Sequence, residues 1–149
     1  MKLDKFTEKA QEALQEAAEL AGSLGQQAVE PEHLLLALIR QSQGVGRTLL
    51  ERAGVSVQAL EPALVSTVER FPKVSGGGQP YISQALNKSL EQAEQEAEKL
   101  KDEYISTEHL LLALSDHKAL KDAGGKHDAL LRALRQIRGS QRVTDQDQG

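Results

Sequence analysis

The sequence predicts an all-α domain of eight helices, built as two four-helix repeats related by pseudo-symmetry. The first observation is that residues 32–38 and 108–114 both read EHLLLAL, 76 positions apart. Sliding the chain against itself by 76 aligns residues 6–38 with 82–114 without a gap, and 11 of the 33 positions are identical. The second observation is the three- and four-residue spacing of the other identities, which follows one face of an α-helix. These identities are Leu14/Leu90, Ala17/Ala93, Ala21/Ala97 and Leu24/Leu100.

Capping residues and breakers place the individual helices. Helix one is expected from a Thr7 cap to Leu24, and helix five repeats it from Ser83 to Leu100. The remaining helices are expected at about 31–41, 45–53, 56–70, 107–115, 119–123 and 126–138. Pro62 lies inside the fourth of these patterns and would remove a backbone hydrogen bond at a cost of about 3 kcal/mol. A kink or a late helix start is therefore expected there.

The chain of 149 residues is expected to form one domain over residues 1–147. Repeat one covers about 4–70 and repeat two covers 81–138, joined by a connector over 71–80 that is rich in glycine and proline. Residues 139–149 are polar and predict the start of a linker.

Composition excludes several classes of function. The chain has no Cys, a net charge of −4, and only two Phe and two Tyr, which argues against a nucleic-acid surface. No run of about 18 apolar residues suggests a membrane span, and no export signal begins the chain, so no membrane partner and a cytoplasmic location are expected.

The sequence offers no pattern for catalysis. The segment at 124–126 reads Gly-Gly-Lys but continues with His127 instead of Ser or Thr, so ATP binding is not expected. The four His lack the spacing of a metal site, and His33 and His109 are expected to be structural. We therefore expect a non-enzymatic chain with no cofactor and no metal.

Two carboxylates are candidate binding groups. Glu32 and Glu108 lie in the first turns of helices two and six, where a carboxylate stabilises a helix by about 0.3–1 kcal/mol. The alternative is that Glu32 and Glu108, near the Thr7 and Ser83 hydroxyls, anchor basic or backbone groups of a ligand.

Apolar residues near the helix starts are the other candidates. Leu90 belongs to a stripe that is most simply core. Tyr81 and Ile82 precede helix five, where an apolar residue often packs on the first turn, and a ligand contact is their alternative role.

Residues 2–10, the two EHLLLAL segments, 71–76 and 138–144 together resemble the N-terminal domain of Clp family AAA+ chaperones, in particular its disaggregase branch. The resemblance covers about residues 1–147. It implies a non-catalytic module that captures unfolded or aggregated polypeptides for attached AAA+ ATPase rings of a homohexamer. The residues implied for the binding groove and its polar cluster, with the two apolar candidates above, are Thr7, Tyr81, Ile82, Leu90, Asp102 and Glu108. The polar Gln92 and Glu96 on helix five reduce the expected apolarity of that groove.

The related ClpC branch implies an alternative function, the recognition of phosphorylated arginine. The positions that match that branch in this sequence are Thr7, Val29, Glu32, Ser83, Ile105 and Glu108. A carboxylate can accept two hydrogen bonds from a guanidinium, and helix-start amides can hold a phosphate. Pro31 removes one such amide, so the second repeat is the expected location. A structural or regulatory role without substrate contact is a further alternative.

Overall fold

The computed structural model describes residues 2–148, and the all-α prediction is confirmed for them. Their eight α-helices are α1 (Glu8–Ser23), α2 (Pro31–Arg40), α3 (Gly46–Arg52), α4 (Val57–Glu69), α5 (Gln84–Lys99), α6 (Thr107–Leu114), α7 (Lys118–Asp122) and α8 (His127–Arg138). Two short parallel strands, β1 (Ala28–Val29) and β2 (Tyr81–Ile82), accompany them. The helix pairs α1–α2 and α5–α6 pack most extensively, and α6 also packs on α1, α2 and α8.

Side-chain caps begin the long helices where the sequence predicted them. Thr7 Oγ1 accepts the Ala10 N–H at 3.2 Å, and Ser83 Oγ accepts the Leu86 N–H at 3.0 Å. Each bond satisfies an amide that has no partner within its helix. Thr7 and Ser83 are both buried, and their side chains stabilise the helix starts.

Of the two outcomes expected at Pro62, the late start of the fourth helix is wrong, and the kink stays a prediction. The α4 helix begins at Val57, directly after its Ser56 cap, and continues through Pro62 to Glu69. Pro62 and Gln58 are both exposed. Water can therefore hydrogen-bond the Gln58 carbonyl that Pro62 leaves without an amide donor, which lowers the cost of proline inside the helix.

The repeated EHLLLAL segments form the centre of the core. Every residue of α6 is buried, and so is every residue of α2 except Glu32 and Arg40. A helix that is apolar on all sides is stable only when it is surrounded by other elements. The α1 helix approaches closely through its buried Ala10, Ala13, Ala17 and Ala21.

Two short backbone pairings cross between the repeats. The β2 strand pairs with β1 so that Ile82 lies opposite Val29, and Phe6 forms a bridge with Ile105. Phe6 and Ile82 are 76 positions apart, and so are Val29 and Ile105. The segment before the first helix of each repeat is thus tied to the other repeat.

Residues 139–148, predicted to begin a linker, lie against the domain. The Glu103 N–H donates to the Val143 carbonyl at 2.8 Å, and the Glu8 N–H donates to the Gln146 carbonyl at 2.7 Å. Val143 is buried, although its neighbours in sequence are exposed. The first turn of α1 and the loop after α5 supply these hydrogen-bond partners. The polar composition from which a linker was predicted gives no sign of them.

Candidate functional site

A buried cluster of ionisable side chains joins the loop after α5 to α6 and α8. We call Asp102, Glu108, His109 and Arg138 the Asp102 cluster. The Asp102 carboxylate, which is fully buried, accepts from His109 Nε2 at 2.6 Å and from Arg138 Nη2 at 2.7 Å to each oxygen. The Val143 N–H donates to it at 2.8 Å, and Arg138 Nη1 donates to Glu108 Oε2 at 2.9 Å. The acceptor capacity of Asp102 is therefore used inside the fold.

The hydrogen bonds of His109 fix its tautomer. Its Nδ1 accepts the Ser106 N–H at 2.8 Å, so that nitrogen carries no proton. The proton must then lie on Nε2, which donates to Asp102. His109 is thus neutral, and Arg138 supplies the positive charge that faces Asp102 and Glu108.

Electrostatics in the cluster favour the charged forms. Burial of the carboxylate opposes ionisation, but hydrogen bonds from His109, Arg138 and the Val143 N–H together lower the pKa of Asp102 below its ordinary value of 3.8. Burial also disfavours the guanidinium, yet its bonds to Asp102 and Glu108 raise the pKa of Arg138. Asp102 and Arg138 therefore form a charge pair at neutral pH.

The corresponding positions of repeat one form a cluster without an arginine. His33 Nδ1 accepts the Glu30 N–H at 2.9 Å, and its Nε2 lies 2.6 Å from Gln26 Oε1. Gln26, which corresponds to Asp102, also donates to the Val68 carbonyl at 2.6 Å. Glu32, the counterpart of Glu108, is half-buried, and its carboxylate has no hydrogen-bond partner among residues 2–148. The two repeats thus present their first-turn carboxylates differently.

The structure places most of the predicted site residues inside the fold. Those that are buried are Thr7, Val29, Ser83, Leu90, Ile105 and Glu108, and the side chain of Asp102 is buried as well. Hydrogen bonds bring some of them together: the Thr7 N–H donates to the Ile105 carbonyl at 2.9 Å, and the Ser83 N–H to the Val29 carbonyl at 3.1 Å. A direct role of these residues in binding stays a prediction.

Most of the residues that line the cleft along α5 are of polar type. A cavity of about 440 Å³ there is lined by Lys88, Gln92 and Asp116 among others, with Ala85 and Ala113 as its apolar contribution. Glu96 does not line it; its side chain is buried and bonds His127 Nε2 at 2.9 Å. Of the two polar residues expected to reduce the apolarity of the groove, Gln92 lines this cleft and Glu96 does not.

Two of the five exposed large apolar side chains among residues 2–148 are neighbours in sequence on β2. Tyr81 is 59% exposed and Ile82 is 46% exposed, and both lie on one ordered strand. We call these two residues the apolar edge. The Tyr81 N–H donates to the Gln27 carbonyl at 2.7 Å, so the backbone of the edge is fixed while its side chains face solvent.

Sequence reasoning missed Arg138 as the partner of Asp102 and Glu108. Arg138 lies in the last turn of α8, 36 residues from Asp102, and no periodic pattern relates them. The only signal was a basic residue next to the expected linker.

Two further properties concern the described residues. None of their groups of His, Asp and Glu is arranged to hold a metal ion. No helix within residues 2–148 combines the length and the apolarity needed to cross a bilayer.

In this helical fold, the segment before the first helix of each repeat pairs with the other repeat. These features define a helical repeat domain of the type found in AAA+ chaperones. Residues 5–123 match the Clp repeat (R) N-terminal domain, and the chain belongs to this family. It is similar to chaperone protein ClpB of Rhodopirellula baltica, with 44% identity over 97% of this chain and 17% of that protein. The curated relatives are thus about six times as long as the matched segment.

Solved structures support the same assignment. The N-terminal domain of Hsp104 from Candida albicans superimposes with a TM-score of 0.79 at 27% identity, covering 95% of this chain and 97% of that one. The N-terminal domain of the ClpV1 ATPase from E. coli gives a TM-score of 0.78 at 26% identity, with coverages of 97% and 90%. The chain is therefore a Clp N-domain, a non-catalytic domain of AAA+ chaperones.

Proposed function

We propose that this domain is the substrate-recognition module of an ATP-dependent protein disaggregase. It binds exposed apolar segments of unfolded or aggregated polypeptides and passes them to AAA+ rings of a homohexamer, which lie outside this chain. The similarity to ClpB over nearly the whole chain supports this proposal.

The observation that carries the proposal is the apolar edge. Burying one large apolar side chain contributes about 1.5–3 kcal/mol of stabilisation. Tyr81 and Ile82 are exposed to water in the isolated domain, so they do not contribute this full stabilisation there. A bound apolar segment would recover it. Successive residues of a strand point to opposite faces, so Tyr81 and Ile82 each offer a small contact that binds weakly. Several copies in one ring would raise the effective affinity without new contacts.

The buried candidates have structural roles away from β2. Thr7 caps α1, Leu90 fills the core, and Asp102 fixes the loop after α5 through Arg138 and His109. In this proposal these residues stabilise the fold, and Tyr81 and Ile82 make the contact.

An amide NMR titration of the domain with a permanently unfolded polypeptide tests the proposal. We expect shifts at Tyr81, Ile82 and their neighbours, and weaker binding by Ile82→Ser. Ile137→Ser is the matched control, because Ile137 is also an exposed isoleucine, on α8. No shifts at millimolar polypeptide, or equal weakening by both variants, would overturn the proposal and favour a structural or regulatory role.

One observation favours phosphorylated arginine as a second candidate ligand, but in the first repeat. Glu108 is already bonded to Arg138, whereas the half-buried Glu32 has no such partner among the described residues. Glu32 can therefore accept a guanidinium from outside. Binding of an arginine-phosphorylated peptide that is abolished by Glu32→Gln and kept by Gln92→Ala would support this function. Equal binding of the unphosphorylated peptide would exclude it.

A further inference from the structure

We propose that the segment from Pro80 to Gln84 binds its polypeptide ligand through backbone hydrogen bonds as well as through the apolar edge. This inference rests on the proposed function and adds how the polypeptide is held. Its basis is a segment of this chain that occupies the matching surface of the other repeat.

The tail of the chain lies on the start of α1. The Gln146 carbonyl accepts the Glu8 N–H at 2.7 Å. The Gln146 side-chain amide donates to the Asp4 carbonyl at 2.8 Å and to the Phe6 carbonyl at 3.4 Å. The side chain of Phe6 is 1% exposed. A short irregular segment is thus held mainly by backbone groups of residues 4–8.

The start of α5 repeats this surface without a covering segment. Adding 76 converts Asp4, Phe6 and Glu8 into Pro80, Ile82 and Gln84. Among residues 2–148, no group is hydrogen-bonded to the Gln84 N–H or to the Pro80 and Ile82 carbonyls. Ile82 is 46% exposed, whereas its counterpart Phe6 is 1% exposed.

The local backbone of the two surfaces is the same. Thr7 has φ −64° and ψ 161°, and Ser83 has φ −68° and ψ 162°. The N–H of the first helical residue therefore points out of the helix start in the same way in both repeats. Because the two helix starts share this geometry, a polypeptide can bind at the start of α5 through the same hydrogen bonds that the tail makes at the start of α1.

The chemistry of the tail specifies the ligand. The ligand must offer a carbonyl to the Gln84 N–H and a side-chain amide, from Gln or Asn, to the Pro80 or Ile82 carbonyl. An apolar residue beside that amide would cover Ile82. Because backbone groups make most of these bonds, many unfolded sequences satisfy them, which suits a domain that receives diverse polypeptides.

The probe is a peptide that copies residues 142–148 with Asp147 replaced by Leu and both ends blocked, so that an apolar residue lies beside the Gln146 amide. It is titrated into the 149-residue chain while amide shifts are followed. We expect shifts at Tyr81, Ile82 and Gln84. Smaller shifts are expected near Glu8, because the chain's own tail competes there at high effective concentration.

Gln84→Pro removes the N–H selectively. Proline is favoured at the first helical position, as Pro31 shows in α2, and the extended Ser83 is compatible with a following proline. Loss of one hydrogen bond should weaken peptide binding about three- to tenfold. Gln84→Ala keeps the N–H and separates its contribution from that of the side chain. If the proline variant melts early, Ile82→Ser tests the same surface without changing the backbone.

The outcomes separate this inference from the proposed function. Peptide affinity that is unchanged in both Gln84→Pro and Ile82→Ser, or shifts confined to the Glu8 region, would overturn the inference. If the unfolded polypeptide still shifts Tyr81 and Ile82 equally in wild type and Gln84→Pro, the proposed function stands and only the backbone mode fails. If neither ligand produces shifts, both fail.

Discussion

Replacing Arg138 by Gln should destabilise the domain strongly. The guanidinium makes three hydrogen bonds of 2.7–2.9 Å to Asp102 and Glu108, and its side chain is 13% exposed. Removing it leaves two buried carboxylates without a cation. Breaking a buried ion pair in this way costs about 3–5 kcal/mol. For a domain of this size that loss lowers the Tm by about 6–20 °C.

Thermal and urea unfolding, followed by circular dichroism, measure this loss. Arg135→Gln is the matched control, since Arg135 is in the same last turn of α8 but exposed and without an ion pair in the described chain. Its Tm should stay close to that of the wild type. A loss below about 1 kcal/mol in Arg138→Gln would place the cluster in solvent, where ion pairs contribute little, and would refute the reasoning.

The same variant should change the response to acid. The pKa of Asp102 is lowered by folding, so its ionisation stabilises the fold above pH 3.8 and this stabilisation is lost as the pH falls further. Without Arg138 the pKa of Asp102 rises, and acid unfolding should begin at a higher pH. An unchanged acid midpoint would contradict the assigned role of Arg138.

Two further predictions follow from burial. Leu90→Ala should lower the free energy of unfolding by about 2–5 kcal/mol, because Leu90 is 4% exposed, and a urea titration measures this; a loss under 1 kcal/mol would place Leu90 on an accessible groove. Burial lowers the pKa of His33 below 6.5, against a smaller opposing effect of Glu30, so the neutral ring is the stable form in the fold. The unfolded chain then takes up the proton first, and stability should fall as the pH drops below 6.5. His33→Gln should flatten this part of the stability profile, and a profile identical to the wild type would exclude His33 as its cause.

Local sequence was sufficient for the helices. Thr7, Ser56 and Ser83 mark helix starts because a short hydroxyl side chain bonds the free amides of the first turn whatever the rest of the fold does. The repeated EHLLLAL segment predicted two central helices because an all-apolar helix has to be buried. Pro62 was the exception, since its cost depends on whether water reaches the carbonyl one turn earlier, and burial is a tertiary property.

The sequence by itself determined the helices, their caps and the family resemblance, because these depend on residues close in the chain. Only the tertiary structure decided which candidates reach solvent. It buried Asp102 with Arg138, from 36 residues away, and it laid the tail on α1 while leaving Ile82 open on the matching surface. The physical reason is that hydrogen-bond partners and solvent access are set by segments far apart in sequence, and no local periodicity encodes which segment covers which.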